Sequence, residues 1–107
     1  MIMRGTTPKL SFTVNSDIDL HEIAEIWVTT QIIQKNAAKK EKTYRKNECV
    51  INYTQRTIEV TLSQKDTLDM NANICYVQLR IRMNDGTAYA SEIFEEEVGK
   101  VLNGDVI

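Results

Sequence analysis

The chain is poor in the residues from which most active sites are built. Its 107 residues include four glycines, one proline, two cysteines and one histidine. So few glycines leave little room for a phosphate-cradling loop, and neither such a loop nor a G-x-S-x-G elbow occurs. His21 follows an acidic turn with Asp17 and Asp19 and has no nucleophile to serve, so it reads as a surface loop histidine. Ser63 and Ser91 are equally unaccompanied. Two cysteines and one histidine cannot complete a four-ligand zinc framework. Cys49 and Cys75 lie in apolar runs, where a thiol behaves as a small buried hydrophobe, and they are expected to be free. The expectation is a protein without metal or cofactor, and not an enzyme.

Long apolar runs and charge of one sign are also scarce. No stretch approaches the ~20 apolar residues that cross a bilayer, and residues 1–8 lack the apolar core of a signal peptide. No membrane partner is expected, and the chain is expected to stay in the cytoplasm. A net charge of −2 and a pI near 5.4 argue against a protein whose task is to neutralise phosphates, so no nucleic-acid partner is expected.

What is present is the composition of one ordinary globular domain, 42% hydrophobic and 26% charged. Leu10, Phe12 and Val14 alternate with polar residues, the period of a strand with one buried face. Residues 20–24 allow a helical turn. Residues 26–34, rich in β-branched side chains around Trp27, predict a long strand. A turn at 36–42 and a short strand at 43–45 complete a basic hairpin. Residues 49–53 and the alternation of Ile58, Val60 and Leu62 predict two more strands. Ser63 and Asp66 form a reciprocal cap for one helical turn that links two sheets. Residues 74–83 are the most regular: Cys75, Val77, Leu79, Ile81 and Met83 point one way, Tyr76, Gln78, Arg80 and Arg82 the other. Asn84, Asp85 and Gly86 signal a tight turn into a returning strand, which continues past a bulge through 93–98. About seven or eight short strands without an amphipathic helix predict an all-β fold, an immunoglobulin-like antiparallel two-sheet sandwich. Trp27 and Cys75 bear an architectural likeness to the core of immunoglobulin domains, although the second cysteine is misplaced. Residues 1–7 and 99–107 are expected to be flexible or to dock on a partner, the latter through Val101, Leu102, Val106 and Ile107.

Charge is unevenly placed. Lys35, Lys39, Lys40, Lys42, Arg45 and Lys46, against Glu41 alone, give residues 35–46 a charge of +5, leaving −7 for the remainder. Such a hairpin either protects a sheet edge or docks an acidic partner. Tyr44 is its sole stacking platform, which disfavours nucleic acid. Glu92, Glu95, Glu96 and Glu97 lack the spacing of a calcium loop and read as a solvated strand edge. Lys39, Lys40, Lys42, Arg45 and Lys46 with Glu95, Glu96 and Glu97 are the candidate partner-binding residues, and copies placed head to tail would bring the two sets together.

Several blocks together resemble a known group: Arg4 to Pro8 leading into Leu10, Phe12 and Val14; Ile26, Trp27 and Val28 with Gln31; Val60 to Leu68; Val77 to Arg80; and Asp85, Gly86 with Ala90, Ser91, Glu92 and Ile93. The chain resembles small prophage-encoded proteins of Gram-positive bacteria, themselves similar to the immunoglobulin-like N-terminal domain of phage baseplate upper proteins. The resemblance covers nearly the whole chain. It implies a virion structural or assembly protein, tail- or baseplate-associated, that binds other phage structural proteins or itself. It further implies residence in the bacterial host cytoplasm during assembly, and in the virion once incorporated. It carries no catalytic residues. Baseplate upper proteins continue into a longer chain, and that chain's attachment role is not expected here. The alternative is a stand-alone binding module for a host-surface glycan or receptor, for which Trp27, Tyr44, Tyr53 and Tyr89 would have to be exposed.

Overall fold

Alternating apolar and polar side chains pin each strand's two faces, and the apolar faces draw the strands into two sheets. The structure, a computed structural model, describes residues 1–34, 36 and 38–107. Lys35 of the basic segment 35–46 and Ala37 of the expected turn at 36–42 lie outside the described residues. Among the described residues the strands are β1 (Ile2–Met3), β2 (Lys9–Thr13), β3 (Ile23–Ile33), β4 (Lys39–Arg45), β5 (Cys49–Asn52), β6 (Thr57–Thr61), β7 (Ile74–Met83), β8 (Ala88–Ala90) and β9 (Phe94–Gly99). One short helix, α1 (Gln64–Leu68), and two 3-10 turns, Leu20–Glu22 and Lys46–Glu48, connect them.

The larger sheet runs β1-β9-β7-β3-β4, with β8 also on β7, and the smaller runs β2-β6-β5. The all-β reading holds. The sheets are not wholly antiparallel, because β1 lies parallel to β9 through the pairs Ile2 with Val98 and Met3 with Gly99. Residues 1–7, expected to be flexible or partner-bound, therefore begin inside the larger sheet, with Ile2 only 2% exposed. Two residues of strand carry too little periodicity to be seen in the sequence. At the other end Val101 is half-buried, while Leu102, Val106 and Ile107 are exposed.

The core lies between the sheets. Ile26 and Val28 of β3 and Cys75, Val77, Leu79 and Ile81 of β7 meet Ile58 and Val60 of β6, with Leu10 and Phe12 of β2 packed against them. Ile26, Val28, Ile58 and Leu62 are fully enclosed, each contributing roughly 1.5–3 kcal/mol through the area removed from water. The alternation expected over 74–83 is observed, with Cys75, Val77, Leu79, Ile81 and Met83 all buried.

The connections follow local chemistry. Gly86, at φ +89°, takes the turn conformation that other residues resist, and Met83 N–H donates to Thr87 O at 2.8 Å to close the hairpin. The returning strand breaks at residues 91–93: β8 faces Arg80, Ile81 and Arg82, whereas β9 faces residues 74–77 of the same strand. Ser91 fills the break, its hydroxyl accepting from Leu79 N–H at 2.9 Å. Ser63 caps α1 as expected, accepting from Asp66 N–H at 3.0 Å, and α1 links the smaller sheet to the larger. The reciprocal half of the cap is absent, because the Asp66 carboxylate turns instead to the Tyr44 hydroxyl at 2.6 Å and the Lys42 ammonium at 3.7 Å. A cation and a donor across the gap compete better for an ionised oxygen than a nearby backbone amide does. The strand expected at 43–45 is longer, beginning at Lys39, since pairing with β3 from Ile33 to Trp27 holds even its charged residues extended.

Candidate functional site

Side chains of alternate residues on β4, β3, β7 and β9 stand on the outer face of the larger sheet, opposite the core. Strand register arranges them in rungs. Arg45, Trp27, Arg80 and Ala90 make the first, and Thr43, Thr29 and Gln78 the second. Glu41, Gln31, Tyr76 and Glu95 make the third. Beyond it stand Lys39 beside Ile33, and Ile74 beside Glu97. Among the described residues no element covers this face. A depression of about 610 Å3 runs across it, lined by Trp27, Gln31, Tyr76, Gln78, Glu41 and Glu95 among others.

Trp27 shows how far the register matters. The sequence likeness places it with the core of an immunoglobulin domain, but Ile26 and Val28 take the inward positions and Trp27 faces out, half-buried. Its cover comes from two arginines, with the Arg45 guanidinium 4.3 Å and that of Arg80 5.8 Å from the ring centroid. Both sit within reach of the ring's negative face, a cation–π arrangement. The buried indole Nε1–H has no hydrogen-bond partner among the described residues. Arg82 and Glu25 complete a hollow of about 330 Å3 at this end. Glu25 is occupied by backbone, its Oε1 accepting from Ile26 N–H at 3.2 Å. Arg45, Arg80 and Arg82 against this one carboxylate leave the end of the face cationic.

The opposite end is acidic. Glu41 accepts from the Gln31 amide at 3.3 Å, and Glu95 and Glu97 stand on the same side three strands away, with Lys39 the counter-charge. Between the ends, the Thr29 and Thr43 hydroxyls are 3.0 Å apart.

The expected partner-binding residues divide between surfaces. Lys39 and Arg45 stand on the outer face. Lys40 and Lys42 project from the other side of β4, toward α1, and pair with Asp69 at 3.4 Å and Asp66 at 3.7 Å. Lys46 donates to Ile23 O at 2.8 Å. Glu95 and Glu97 stand on the outer face, while Glu96, opposite Cys75, is turned inward and half-buried. Strand alternation thus splits each charged run in two. The sequence reading omitted Trp27, Tyr76, Gln78 and Arg80 from the site. The outward set on β7 was visible in its period, but its placement beside Trp27 and Glu95 depends on pairing between distant strands.

Of the aromatics that a glycan module would present, Tyr44 is buried at 3% exposure and Trp27 has Arg45 against it. Tyr53, 49% exposed, stacks on His21 at 4.4 Å between centroids, and Tyr89 is 45% exposed. Burial, then the hydrogen bond to Asp66, push the Tyr44 hydroxyl well above the ordinary tyrosine range. Burial likewise pushes the Cys49 and Cys75 thiols up to about 11. Both cysteines are free. Among the described residues, no group of three or more His, Cys, Asp or Glu side chains is placed to hold a metal ion, and no helix is long and apolar enough to cross a membrane. No protein-family model, no curated protein and no solved structure matches this chain.

Proposed function

We propose that the protein is a phage or prophage structural or assembly component, tail- or baseplate-associated, working through protein–protein contacts on the outer face of its larger sheet. The observation that carries the mode of action is that face itself. It is an uncovered rung pattern of Trp27, Tyr76, Ile33 and Ile74 edged by charges of both signs, the mixture of aromatic, arginine and rim polar groups that protein interfaces favour. The sequence resemblance supplies the phage setting. Strand order supports the finer fold reading: β9-β7-β3-β4 and β2-β6-β5 correspond to the G-F-C-C′ and B-E-D orders of an immunoglobulin-like sandwich, with α1 in the E–F connection.

The test is made on induced host cells. Mass spectrometry of density-purified particles should contain this chain, and deletion of its gene should yield particles with missing or defective tails under electron microscopy. Complete, infectious particles from the deletion strain, together with absence of the chain from purified particles, would overturn the proposal.

A further inference from the structure

The charge pattern on the outer face is self-complementary about its second rung. We infer that this face is a two-fold interface between two copies of the chain, packed face to face with the axis lying along the rung of Thr43, Thr29 and Gln78. The inference rests on the reading that this face makes the protein's contacts, and it names the partner as a second copy.

A two-fold axis in the plane of the interface and perpendicular to the strands carries each strand onto its own counterpart and exchanges the first rung with the third. Arg45 of one copy then faces Glu41 of the second, and the reverse pair forms across the axis. Arg80 faces Tyr76 of the second copy, placing a guanidinium over a phenol ring. Trp27 faces Gln31, an uncharged polar side chain against the indole ring. Beyond the first rung, Arg82 comes near Ile74 and Glu97 of the second copy. The central rung of threonines and glutamine is uncharged, so no like charges meet at the axis.

Parallel alternatives fit less well. With the axis running along the strands, rungs keep their level, and the arginine end of one copy meets the arginine end of the other. A head-to-tail contact of the basic hairpin with the acidic strand has to draw Lys40 and Lys42 away from Asp69 and Asp66.

The size is adequate. Strands about 4.8 Å apart with a rise of about 3.4 Å per residue give four strands by eight residues a plan of roughly 19 by 27 Å. Side-chain relief brings such a patch near the ~800 Å2 per partner of a standard interface. Aligned packing of two twisted sheets at about −30° accommodates it.

Analytical ultracentrifugation of the intact chain decides the matter, using the parent, Arg45→Glu, Glu41→Arg and the double swap. The parent should be a dimer that weakens but persists between 0.1 and 1 M salt. Each single reversal should weaken dimerisation at least about tenfold, because like charges then face each other twice. The double swap should return the constant to within about threefold of the parent, since the pair is rebuilt with its sign exchanged. Circular dichroism establishes that each variant is folded. An independent measurement uses Thr43→Cys, which the axis places against itself: mild oxidation should cross-link it across the dimer, whereas Val50→Cys on the exposed side of β5 should not. A parent monomeric at millimolar concentration, single reversals without effect, folded double swaps that do not recover, or Thr43→Cys cross-linking no faster than Val50→Cys would each overturn the inference. Failure here with the chain still present in purified particles leaves the contact function with a different partner. A dimer with the chain absent from particles overturns the phage reading instead.

Discussion

The Tyr44 hydroxyl donates to the Asp66 carboxylate at 2.6 Å and so fastens edge strand β4 to α1. Tyr44 is buried, Lys42 stands over its ring at 5.4 Å to the centroid, and the same carboxylate receives the Lys42 ammonium. The link holds the inner side of β4 so that Arg45, Thr43 and Glu41 present the other.

Tyr44→Phe tests this fastening. Loss of a hydrogen bond to a charged acceptor should lower stability by roughly 1.5–3 kcal/mol in urea unfolding. An unchanged midpoint would mean that the bond does not form in solution.

Leu79 and Arg80 are neighbours on opposite faces of β7, one at 8% exposure and the other exposed. Leu79→Ala should cost about 2–5 kcal/mol as its methyl groups leave a cavity. Arg80→Ala, which loses only an exposed cation–π contact with Trp27, should cost no more than about 1 kcal/mol. Equal unfolding midpoints would reverse the faces assigned to the strand.

Ser91 replaces a missing ladder partner where β8 ends, accepting from Leu79 N–H at 2.9 Å and donating to Glu92 O at 2.8 Å. Ser91→Ala leaves the Leu79 amide without a partner and should cost about 1–3 kcal/mol. Hydrogen exchange at the Leu79 amide should quicken in the variant, and unchanged protection there would refute the assigned role.

The thiols make the fold sensitive to alkali. Folding raises Cys49 and Cys75 from 9.0 to about 11, and Tyr44 moves the same way. Each unfolded group releases its proton first, so the thiols' contribution is fully present below pH 9 and is lost as the pH climbs through about 11, while that of Tyr44 begins to fall only above about pH 10 and continues beyond that window. The denaturation midpoint should therefore fall across that window. At pH 8 both thiols should alkylate slowly in the native protein and completely in denaturant, and mass spectrometry reads both. A Cys49–Cys75 bridge, or rapid native labelling of Cys75, would contradict the structure.

Much of the fold was legible because it is local. The alternation over 74–83, the serine cap at Ser63 and the glycine turn at Gly86 rest on interactions within a few residues, and each is observed. Ser63 and Asp66 also mark where locality ends: the expected reciprocal cap is half-made, because Tyr44 and Lys42 arrive from another strand to claim the carboxylate. The parallel pairing of Ile2 and Met3 with Val98 and Gly99 joins the two ends of the chain, a contact no window of sequence contains.

By itself the sequence determined the all-β character, the two faces of each long strand and the uneven placing of charge. Only the tertiary structure decided what those faces meet. A strand's period says that Lys40 and Lys42 leave by one side and Lys39 and Arg45 by the other, but it is the position of α1 that neutralises the first pair. Register between strands distant in sequence stacks Arg45 and Arg80 about Trp27 and sets Glu41 and Glu95 two rungs away. The reason is physical: strand conformation is chosen by side chains near in sequence, whereas pairing and surface charge are chosen by contacts that exist only once the chain has closed on itself.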